Sequence, residues 1–544
     1  MSQGAKQKET AVTTFLRDTR SALGWFAASN AWLEAHLDWV MWVVVLAGLY
    51  LRIQQARGTY LNGDEADIMI PPLQHGLINV YRAALPLFHA PLMSFVLYFM
   101  TFFGSSEFYF RMPAVLCGAL LPFVGYKWVA ETFSKSAGLM TGCILSFAPP
   151  LVILSATLRS YMLQALLMAC SLYCLERAFR EKSRKWMGYF GATALLATLT
   201  EYMSAFYLAA IGIYAGVRIL GKELPRPLVV EWAITQAAAL MVLMIGYSTQ
   251  FHNLRGNADE LYARTVWLRG SYFHSESQTV LDFLLHTTLS LFRYAFANTR
   301  LGTLMLLIFL IGIGLVLLGK TRVPGDRKWA LLSLVLPFGV TAAAGVLTIY
   351  PYGGSRHDAF LMVFIAGGIS IAISSLVRGR VLVLLLGMAF LPPPWLKSAQ
   401  QHVLDDIPAV SKLDQMKQAL AYLSSRIPQP KVLMADQLGF LTLQYYLCHG
   451  QFDQFQRVAG QIVMTGCAGY RIITLDSSEV SGVPWGVPPE TFPRTLAEAR
   501  SAMPGVFKDP VWVFYVSLAR FTDEIVYNDS SGRFGKLEIY RVSP

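Results

Sequence analysis

Long apolar runs recur along the first three quarters of the chain, and they constrain its fold more than any other feature. Most of them reach the roughly 17–25 residues that an α-helix needs to cross a bilayer, and the shorter ones come close. The runs are 39–53, 110–130, 137–155, 161–176, 187–200, 203–218, 228–248, 301–319, 329–349, 360–377 and 379–396. The sequence therefore predicts an all-α polytopic membrane domain, residues 1–397, with about eleven spanning helices.

The composition excludes several other classes of protein. Hydrophobic residues make up 54% of the 544 residues and charged residues only 15%, whereas a soluble domain carries about 25% charge. The chain lacks the polar bias of a disordered protein and the cysteine density of a disulfide scaffold. The net charge of +11 comes from basic residues between apolar runs, without a basic groove interleaved with aromatics, so no nucleic-acid partner is expected.

Two further apolar segments, 87–103 and 280–298, are predicted to be interfacial helices that do not cross the membrane. Pro91 leaves only Leu92–Phe103 uninterrupted in the first segment. In the second, Asp282, His286 and Arg293 share one helical face, which is typical of a helix lying in the interface.

The distribution of basic residues predicts the orientation, because cytosolic loops are rich in Lys and Arg. With the N-terminus in the cytosol, the basic residues fall in the cytosolic loops 131–136, 177–186, 219–227, 320–328 and 378–380. The outward segments are then 54–109, 156–160, 201–202, 249–300, 350–359 and all residues after 397. We therefore expect a multi-pass protein of the plasma (inner) membrane with a cytoplasmic N-terminus. Residues 1–30 lack the uninterrupted apolar core of a cleavable signal peptide.

Residues 398–544 are predicted to form an extracytoplasmic α/β domain, because strand-like and helical patterns alternate there. The strand-like runs are Lys431–Ala435, Tyr470–Leu475, Val511–Ser517 and Leu537–Val542, and the helical patterns are Lys412–Arg426 and Asp436–Leu447. No glycine fingerprint for a nucleotide occurs in it. Whether its two cysteines, Cys448 and Cys467, form a disulfide is left open by the sequence.

Ionisable residues gather where outward loops meet helix ends, while the centres of the spans are nearly free of charge. The four loops are Asp64-Glu65-Ala66-Asp67, Arg159-Ser160-Tyr161, Glu201-Tyr202 and Arg356-His357-Asp358. A transporter would place such groups at mid-membrane depth, so the pattern favours a catalytic chamber at the outer surface. There a carboxylate can act as a general base and arginines can hold a leaving phosphate. Without a nucleotide motif, a lipid phosphate would be the activated donor.

Short motifs occur in a fixed order between residues 35 and 380. They are Tyr60-Leu-Asn-Gly-Asp64-Glu65-Ala66, His89-Ala-Pro91-Leu92, Phe103-Gly-Ser-Ser-Glu107 with Arg111-Met-Pro113, Ser146-Phe-Ala-Pro149, Ala156-Thr-Leu-Arg159-Ser-Tyr161, Thr200-Glu201-Tyr202 and Ser355-Arg356-His357. As an ordered set they resemble the "LDE-A", "HPPL", "FG-SE---R-P", "lSP", "QEARMY", "THY" and "PRY" of GT-C type glycosyltransferases that use lipid-linked sugars. The chain is similar to the branch that contains the protein O-mannosyltransferases and the lipid A aminoarabinose transferases.

The resemblance implies roles for individual residues. Asp64 would be the base that deprotonates the acceptor hydroxyl, with Glu65 beside it as a second catalytic candidate. Further candidates would bind the substrate: Arg159 and Arg356 the donor phosphate, Tyr161 as part of that pocket, and His357, Glu201, Tyr202 and His89 around it. Glu201 stands where the family has the His of "THY", so a metal or phosphate role of that His does not carry over. Glu201 could instead bind hydroxyls of the sugar or the acceptor.

Each candidate also has a purely structural explanation. Loop acids are often only solvated, arginines at the interface snorkel, and tyrosines form the aromatic belt of membrane helices. The two candidate histidines could simply begin helices. A divalent metal ion stays open as a cofactor, because Asp64, Glu65, His89 and Glu201 have suitable ligand chemistry but a spacing that defines no site.

The sequence as a whole predicts a membrane glycosyltransferase. It would move a sugar from a polyprenyl-phosphate donor to a glycan, lipid or protein acceptor on the outer side of the membrane, in contact with membrane lipid. The domain 398–544 could help to recognise the acceptor. The alternatives are a transporter or flippase of a lipid-linked substrate, which inverted repeats would favour, and a non-catalytic homologue.

Overall fold

A helical bundle precedes a β-sheet in the computed structural model of the chain. The structure describes residues 24–87, 89–104, 106–221, 224–254, 260–261, 263–321, 329–377, 379–390, 413, 416–417, 431–435, 442–443, 445–447, 455–458, 461–467, 470–474, 511–515, 525–529 and 537–542.

The helices are numbered here in chain order. They are α1 (24–35), α2 (Leu37–Gly58), α3 (Gly63–Met69), α4 (Leu77–Ala84), α5 (Leu92–Met100), α6 (Glu107–Thr132), α7 (Lys135–Phe147), α8 (Pro149–Ser155), α9 (Tyr161–Glu181), α10 (Arg184–Thr200), α11 (Ser204–Gly221), α12 (Arg226–Gly246), α13 (His252–Leu254), α14 (Val280–Ala295), α15 (Thr299–Leu317), α16 (Ala330–Val346), α17 (Met362–Leu376) and α18 (Arg380–Met388). Short 3₁₀ turns cover Pro71–Leu73, Thr101–Phe103, Arg269–Ser271 and Arg356–Leu361, and π-helical turns cover Tyr247–Phe251 and Ala263–Trp267.

Among the described residues, seven helices are long and apolar enough to cross a membrane. The number becomes eight if α7 and α8, which meet at a bend of 57°, form one broken span. The predicted helical, multi-pass membrane domain is thereby confirmed. The count of eleven stays a prediction, because the runs 187–200, 329–349 and 379–396 fall on helices of 17, 17 and 9 residues.

The two segments predicted not to cross the membrane form short helices. The first contains α5, of 9 residues, and the second is α14, of 16 residues. Thr279 and Asp282 form a capping box at the start of α14, in which each side chain accepts a hydrogen bond from the other's backbone N–H. Asp282 therefore marks the beginning of that helix.

Helix α17 lies at the centre of the bundle and is the most deeply buried of the candidate spans. Small residues allow its neighbours to approach closely, as is usual where membrane helices pack. A Cβ atom added at Gly312 of α15 would lie 2.5 Å from the carbonyl oxygen of Gly368. These two helices can therefore touch along their backbones only because Gly312 has no side chain.

The break between α7 and α8 is supported by a buried arginine. Pro149 and Pro150 have no N–H group, so the carbonyls of Leu145 and Ser146 lose the donors that a continuous helix would give them. Arg52 of α2 supplies both donors: its Nη2 lies 3.1 Å from the oxygen of Leu145 and its Nη1 lies 2.8 Å from that of Ser146. One fully buried guanidinium thus joins α2 to the bent pair.

We expect Arg52→Met to destabilise the bundle by about 3 kcal/mol, because two buried carbonyls would lose their partners. The measurement is thermal unfolding of the purified protein in detergent. Arg57→Met is the matched control, since Arg57 lies on the same helix with an exposed side chain. Equal melting temperatures for the two variants would contradict the assigned role of Arg52.

Seven strands in the C-terminal region form one mixed sheet in the order β2-β3-β4-β1-β5-β7-β6. They are β1 (Lys431–Ala435), β2 (Phe455–Val458), β3 (Gln461–Cys467), β4 (Tyr470–Thr474), β5 (Val511–Tyr515), β6 (Ile525–Asp529) and β7 (Leu537–Val542). The central strand β1 pairs in parallel with β4 and β5, and the other pairs are antiparallel.

Strands β1, β4, β5 and β7 coincide with the four predicted strand-like runs, whereas β2, β3 and β6 were not expected. Most of the helical pattern 412–426 and of 436–447 lies outside the described residues, although residues 442–443 and 445–447 are helical. The α/β class of this region therefore stays a prediction. Cys448 is also outside the described residues, and so is the disulfide considered for it.

Candidate functional site

The loop after α2 runs into the first turn of α3, and this continuous segment, called here the loop of Asp64, carries the two predicted catalytic carboxylates, Asp64 and Glu65. A capping box starts α3: the Asn62 side chain accepts from the backbone N–H of Glu65 at 3.1 Å, and the Glu65 carboxylate accepts from that of Asn62 at 3.1 Å. An Asn followed three residues later by Glu is the local sequence that produces this cap. It places Asp64 in the first helical turn.

Arg111 of α6 holds this loop in place with a fully buried guanidinium. Its Nε and Nη2 donate to the two carboxylate oxygens of Glu65 at 3.0 and 2.8 Å. The remaining N–H groups of the guanidinium donate to the backbone carbonyls of Ala56, in the last turn of α2, and of Thr59 and Tyr60 in the loop. This bidentate geometry is specific to arginine.

Glu65 also binds the loop between α8 and α9, because it accepts from the backbone N–H of Leu158 at 2.6 Å. Both of its carboxylate oxygens are thus occupied by protein donors, and the side chain is buried. Beside it, Arg159 donates from Nη1 to the backbone oxygen of Asp64 at 3.0 Å. The loops that carry Asp64 and Arg159 therefore form one hydrogen-bonded unit.

Asp64 forms an ion pair with Arg356, which comes from the loop before α17. Its Oδ2 lies 2.7 Å from Nη1 of Arg356, and the side chains are 27% and 5% exposed, respectively. Burial alone would raise the pKa of Asp64, but the charges of Arg356 and Arg159 outweigh it and lower the pKa to about 2. Asp64 is consequently an anion at neutral pH.

Aromatic side chains pack around the two arginines. The Arg159 guanidinium lies 5.8 Å from the ring centre of Tyr161, and this ring meets that of His357 edge-on at 5.9 Å. Tyr350 donates to the backbone oxygen of His357 at 2.8 Å. A small pocket opens here, and its lining residues are Asn62, Asp64, Glu65, Leu154, Thr157, Arg159, Tyr161 and Arg356.

His89 and Glu201 form a pair of their own, with Nδ1 and Oε1 3.0 Å apart. The hydroxyl of Ser160 donates to the same carboxylate oxygen, so Glu201 ties His89 to the loop of Arg159. Tyr202 instead packs edge-on against Phe251, with ring centres 5.4 Å apart.

The structure thus brings five of the predicted site residues to one pocket, namely Asp64, Glu65, Arg159, Tyr161 and Arg356. His357, His89 and Glu201 lie behind or beside its lining, and Tyr202 contacts the end of α12. The main residue that the sequence analysis overlooked is Arg111, which it placed in a motif without a role. Asn62 was also overlooked, although its spacing to Glu65 is a capping signature.

Among the described residues, no group of three or more His, Cys, Asp or Glu side chains could hold a metal ion. The candidate ligands have other partners: Glu65 is bound by Arg111, and Glu201 by His89 and Ser160. The arrangement of the described side chains therefore does not form a preassembled metal site.

Comparisons with known proteins place this geometry in context. Residues 88–247 match the model of a family described as dolichyl-phosphate-mannose-protein mannosyltransferase. The crystal structure of ArnT from Cupriavidus metallidurans, bound to undecaprenyl phosphate, matches with a TM-score of 0.51 and 15% identity over 92% of this chain and 98% of that one. The chain shares the fold of this enzyme.

Two structures of the oligosaccharyltransferase from Archaeoglobus fulgidus also match. The apo form gives a TM-score of 0.52 and 11% identity, covering 89% of this chain and 70% of that chain. Its complex with zinc and sulfate gives a TM-score of 0.49 and 12% identity, covering 87% of this chain and 68% of that chain. No curated protein sequence matches the chain. The family-model match confirms the resemblance read from the ordered motifs, and the likeness to ArnT and to the apo oligosaccharyltransferase shows the fold.

We expect Glu65→Gln to lower the stability by about 3–5 kcal/mol, because it leaves the buried Arg111 without its counter-ion. Thermal unfolding in detergent measures the effect. Glu34→Gln is a matched control: Glu34 forms the same bidentate pair with Arg380, but its side chain is 51% exposed. Exposed ion pairs contribute about 1 kcal/mol or less. If Glu34→Gln lost as much stability as Glu65→Gln, the structural role assigned to the buried pair would be refuted.

Proposed function

We propose that the chain is a membrane glycosyltransferase that moves a sugar from a polyprenyl-phosphate donor to a hydroxyl or amine of a glycan, lipid or protein. The observation that carries the proposal is the pocket in which one carboxylate, Asp64, meets two arginines from separate loops. ArnT, which shares the fold, was crystallised with undecaprenyl phosphate. That ligand supports a lipid phosphate as the donor.

In this proposal Arg159 and Arg356 bind the donor phosphate. Their two positive charges lie beside the carboxylate of Asp64, so the pocket is suited to an anionic ligand. Both guanidiniums are largely buried, which strengthens a charge-assisted hydrogen bond to phosphate. They stabilise the negative charge that the polyprenyl phosphate gains as it leaves.

Asp64 acts as the general base. The acceptor oxygen forms a bond to the anomeric carbon, the bond from that carbon to the phosphate oxygen breaks, and the acceptor proton passes to Asp64. In the free protein the pKa of Asp64, about 2, makes it a weak base. When the donor phosphate engages Arg356, Asp64 loses part of its ion pair and its pKa rises, so donor binding activates the base.

The remaining candidates support this centre. Since both oxygens of Glu65 are occupied, we assign it a positioning role and leave the catalytic role to Asp64. Tyr161 and His357 shape the wall behind Arg159. Glu201 and His89 are proposed to bind hydroxyls of the sugar or the acceptor, and Tyr202 to support them. A divalent metal stays a candidate cofactor that the substrate phosphate would have to help bind.

We further propose the topology inferred from the charges: about eleven spans, a cytoplasmic N-terminus, and residues 398–544 as a separate extracytoplasmic domain at a bacterial-type plasma membrane. A contact across the chain supports it. Tyr445 is buried in an apolar cluster that contains Leu61, Ile68 and Phe110. This part of the C-terminal region therefore packs beside the loop of Asp64, on the side proposed to face outward.

The proposal is tested with the purified protein in detergent, a panel of polyprenyl-phosphate sugars, and glycan, lipid and peptide acceptors. We expect release of polyprenyl phosphate with one donor, and a loss of roughly 10²–10⁴-fold in Asp64→Asn because general base catalysis is removed. Asp38→Asn is the control, an exposed acid at the other end of α2. Folded protein that binds donors but releases no phosphate with any acceptor would contradict the proposed function.

Arg356→Gln should weaken binding of polyprenyl phosphate by roughly 10–100-fold, which is the loss of one charge-assisted contact of about 1.5–3 kcal/mol. Arg57→Gln is the control, an exposed arginine at the end of α2. Binding is measured with a fluorescent polyprenyl phosphate. Affinity that is unchanged in Arg356→Gln would remove this residue from the phosphate site.

The same variant should change the pH dependence. The pKa of Asp64 is held below its unfolded value, so the ion pair stabilises the fold above about pH 4 and is lost as the pH falls through about 2. Without Arg356 this pKa rises. The acidic limb of kcat/KM should therefore move to higher pH in Arg356→Gln, and a limb that stays in place would argue against Asp64 as the base.

A further inference from the structure

A tyrosine from the C-terminal region contacts the loop that carries Asp64. The backbone N–H of Leu61 donates to the hydroxyl of Tyr446 at 2.9 Å, across 385 positions of the chain. Leu61 immediately precedes Asn62, the residue that caps α3, and lies three residues before Asp64. The contact therefore acts on the backbone at the point where this helix begins.

The same hydroxyl also interacts with the carboxylate of Glu107, in the first turn of α6. Burial and this carboxylate raise the pKa of Tyr446 far above its usual value, so the phenol keeps its proton. It can then accept from Leu61 and donate to Glu107 at once. Glu107 lies one helical turn from Arg111, 4.0 Å from its guanidinium.

Side chains thus hold four backbone groups of the loop. Arg111 binds the carbonyls of Thr59 and Tyr60, and Glu65 binds the N–H of Asn62. Tyr446 binds the N–H between them, that of Leu61, which is fully buried. Without Tyr446 this N–H would lose its partner in an apolar surrounding, which would destabilise this conformation of the loop.

We propose that Tyr446 is a positioning residue for the transferase reaction: it fixes the loop so that the carboxylate of Asp64 is correctly placed relative to Arg356 and the acceptor. This assignment rests on the proposed function of Asp64. It makes the C-terminal region part of the catalytic apparatus, beyond the acceptor recognition expected from its place in the sequence. Tyr445, which packs edge-on against Tyr446 at 5.1 Å, anchors the contact in the apolar cluster.

The proposal predicts a split between binding and turnover. Arg159 and Arg356 are carried by other segments and meet this loop at Asp64, so we expect donor affinity to change little when the Tyr446 hydroxyl is removed. The position of Asp64 should depend on Tyr446. Small misplacements of a catalytic group reduce turnover strongly. Tyr446→Phe removes only the hydroxyl. We expect kcat to fall about tenfold or more, with the Kd for fluorescent polyprenyl phosphate unchanged.

The experiment adds a readout that does not depend on activity, hydrogen–deuterium exchange of the peptide spanning residues 59–66. Exchange should be faster in Tyr446→Phe than in the wild type. Tyr207→Phe is the matched control, because Tyr207 is a buried tyrosine whose hydroxyl lies 2.8 Å from the carbonyl of Met168, in a different part of the bundle. It should leave both kcat and the exchange of 59–66 unchanged. If Tyr446→Phe does not fold, Glu107→Gln, which weakens the same hydroxyl contact, takes its place.

The outcomes separate this proposal from the proposed function. Faster exchange together with a lower kcat and unchanged donor affinity supports it. Unchanged exchange overturns it, as does faster exchange with normal kcat. Asp64→Asn, measured in parallel, tests the base alone: if that variant stays active, the proposed role of Asp64 fails, while the exchange data still report whether Tyr446 holds the loop.

Discussion

The buried ion pair between Arg111 and Glu65 is the interaction on which the rest of the site depends. Arg111 uses its guanidinium on one carboxylate and three backbone carbonyls, so it fixes a loop that would otherwise be irregular. Glu65 then extends the connection to the backbone of Leu158. Two charges buried in this way need near-complete hydrogen bonding to be tolerated. That requirement explains why so many groups of the loop are paired.

The charged side chains of the pocket already contact one another in the free protein. Asp64 pairs with Arg356 and accepts from Arg159 through its backbone oxygen in the free protein, so a carboxylate accompanies the two cations in a largely buried space. A phosphate that enters competes with Asp64 for Arg356. In the proposed mechanism, occupying the phosphate subsite and freeing the carboxylate are therefore linked events, and the proposed base becomes available only when a donor is present.

Much of this arrangement could be predicted from the sequence, because it follows from patterns that are local. Apolar runs predicted the membrane helices. Successive loops alternate between the two sides of a membrane, and this alternation predicted that Asp64, Arg159 and Arg356 lie on the same side. The spacing of Asn62 and Glu65 predicts the cap of α3. The pairings of Glu65 with Arg111 and of Leu61 with Tyr446 could not be predicted, because they depend on which helix faces cross in space. The count of eleven spans stays a prediction, because helices such as α10 and α16 satisfy the hydropathy pattern with only 17 residues each.

The separation between Leu61 and Tyr446 has a consequence for biogenesis. The two residues are 385 positions apart, and at a synthesis rate of about 5–20 residues per second the second would leave the ribosome roughly 20 to 80 seconds after the first. During that interval the newly inserted helices must hold the loop without its tyrosine. A region that is synthesised later thus completes the surroundings of a loop that is synthesised much earlier.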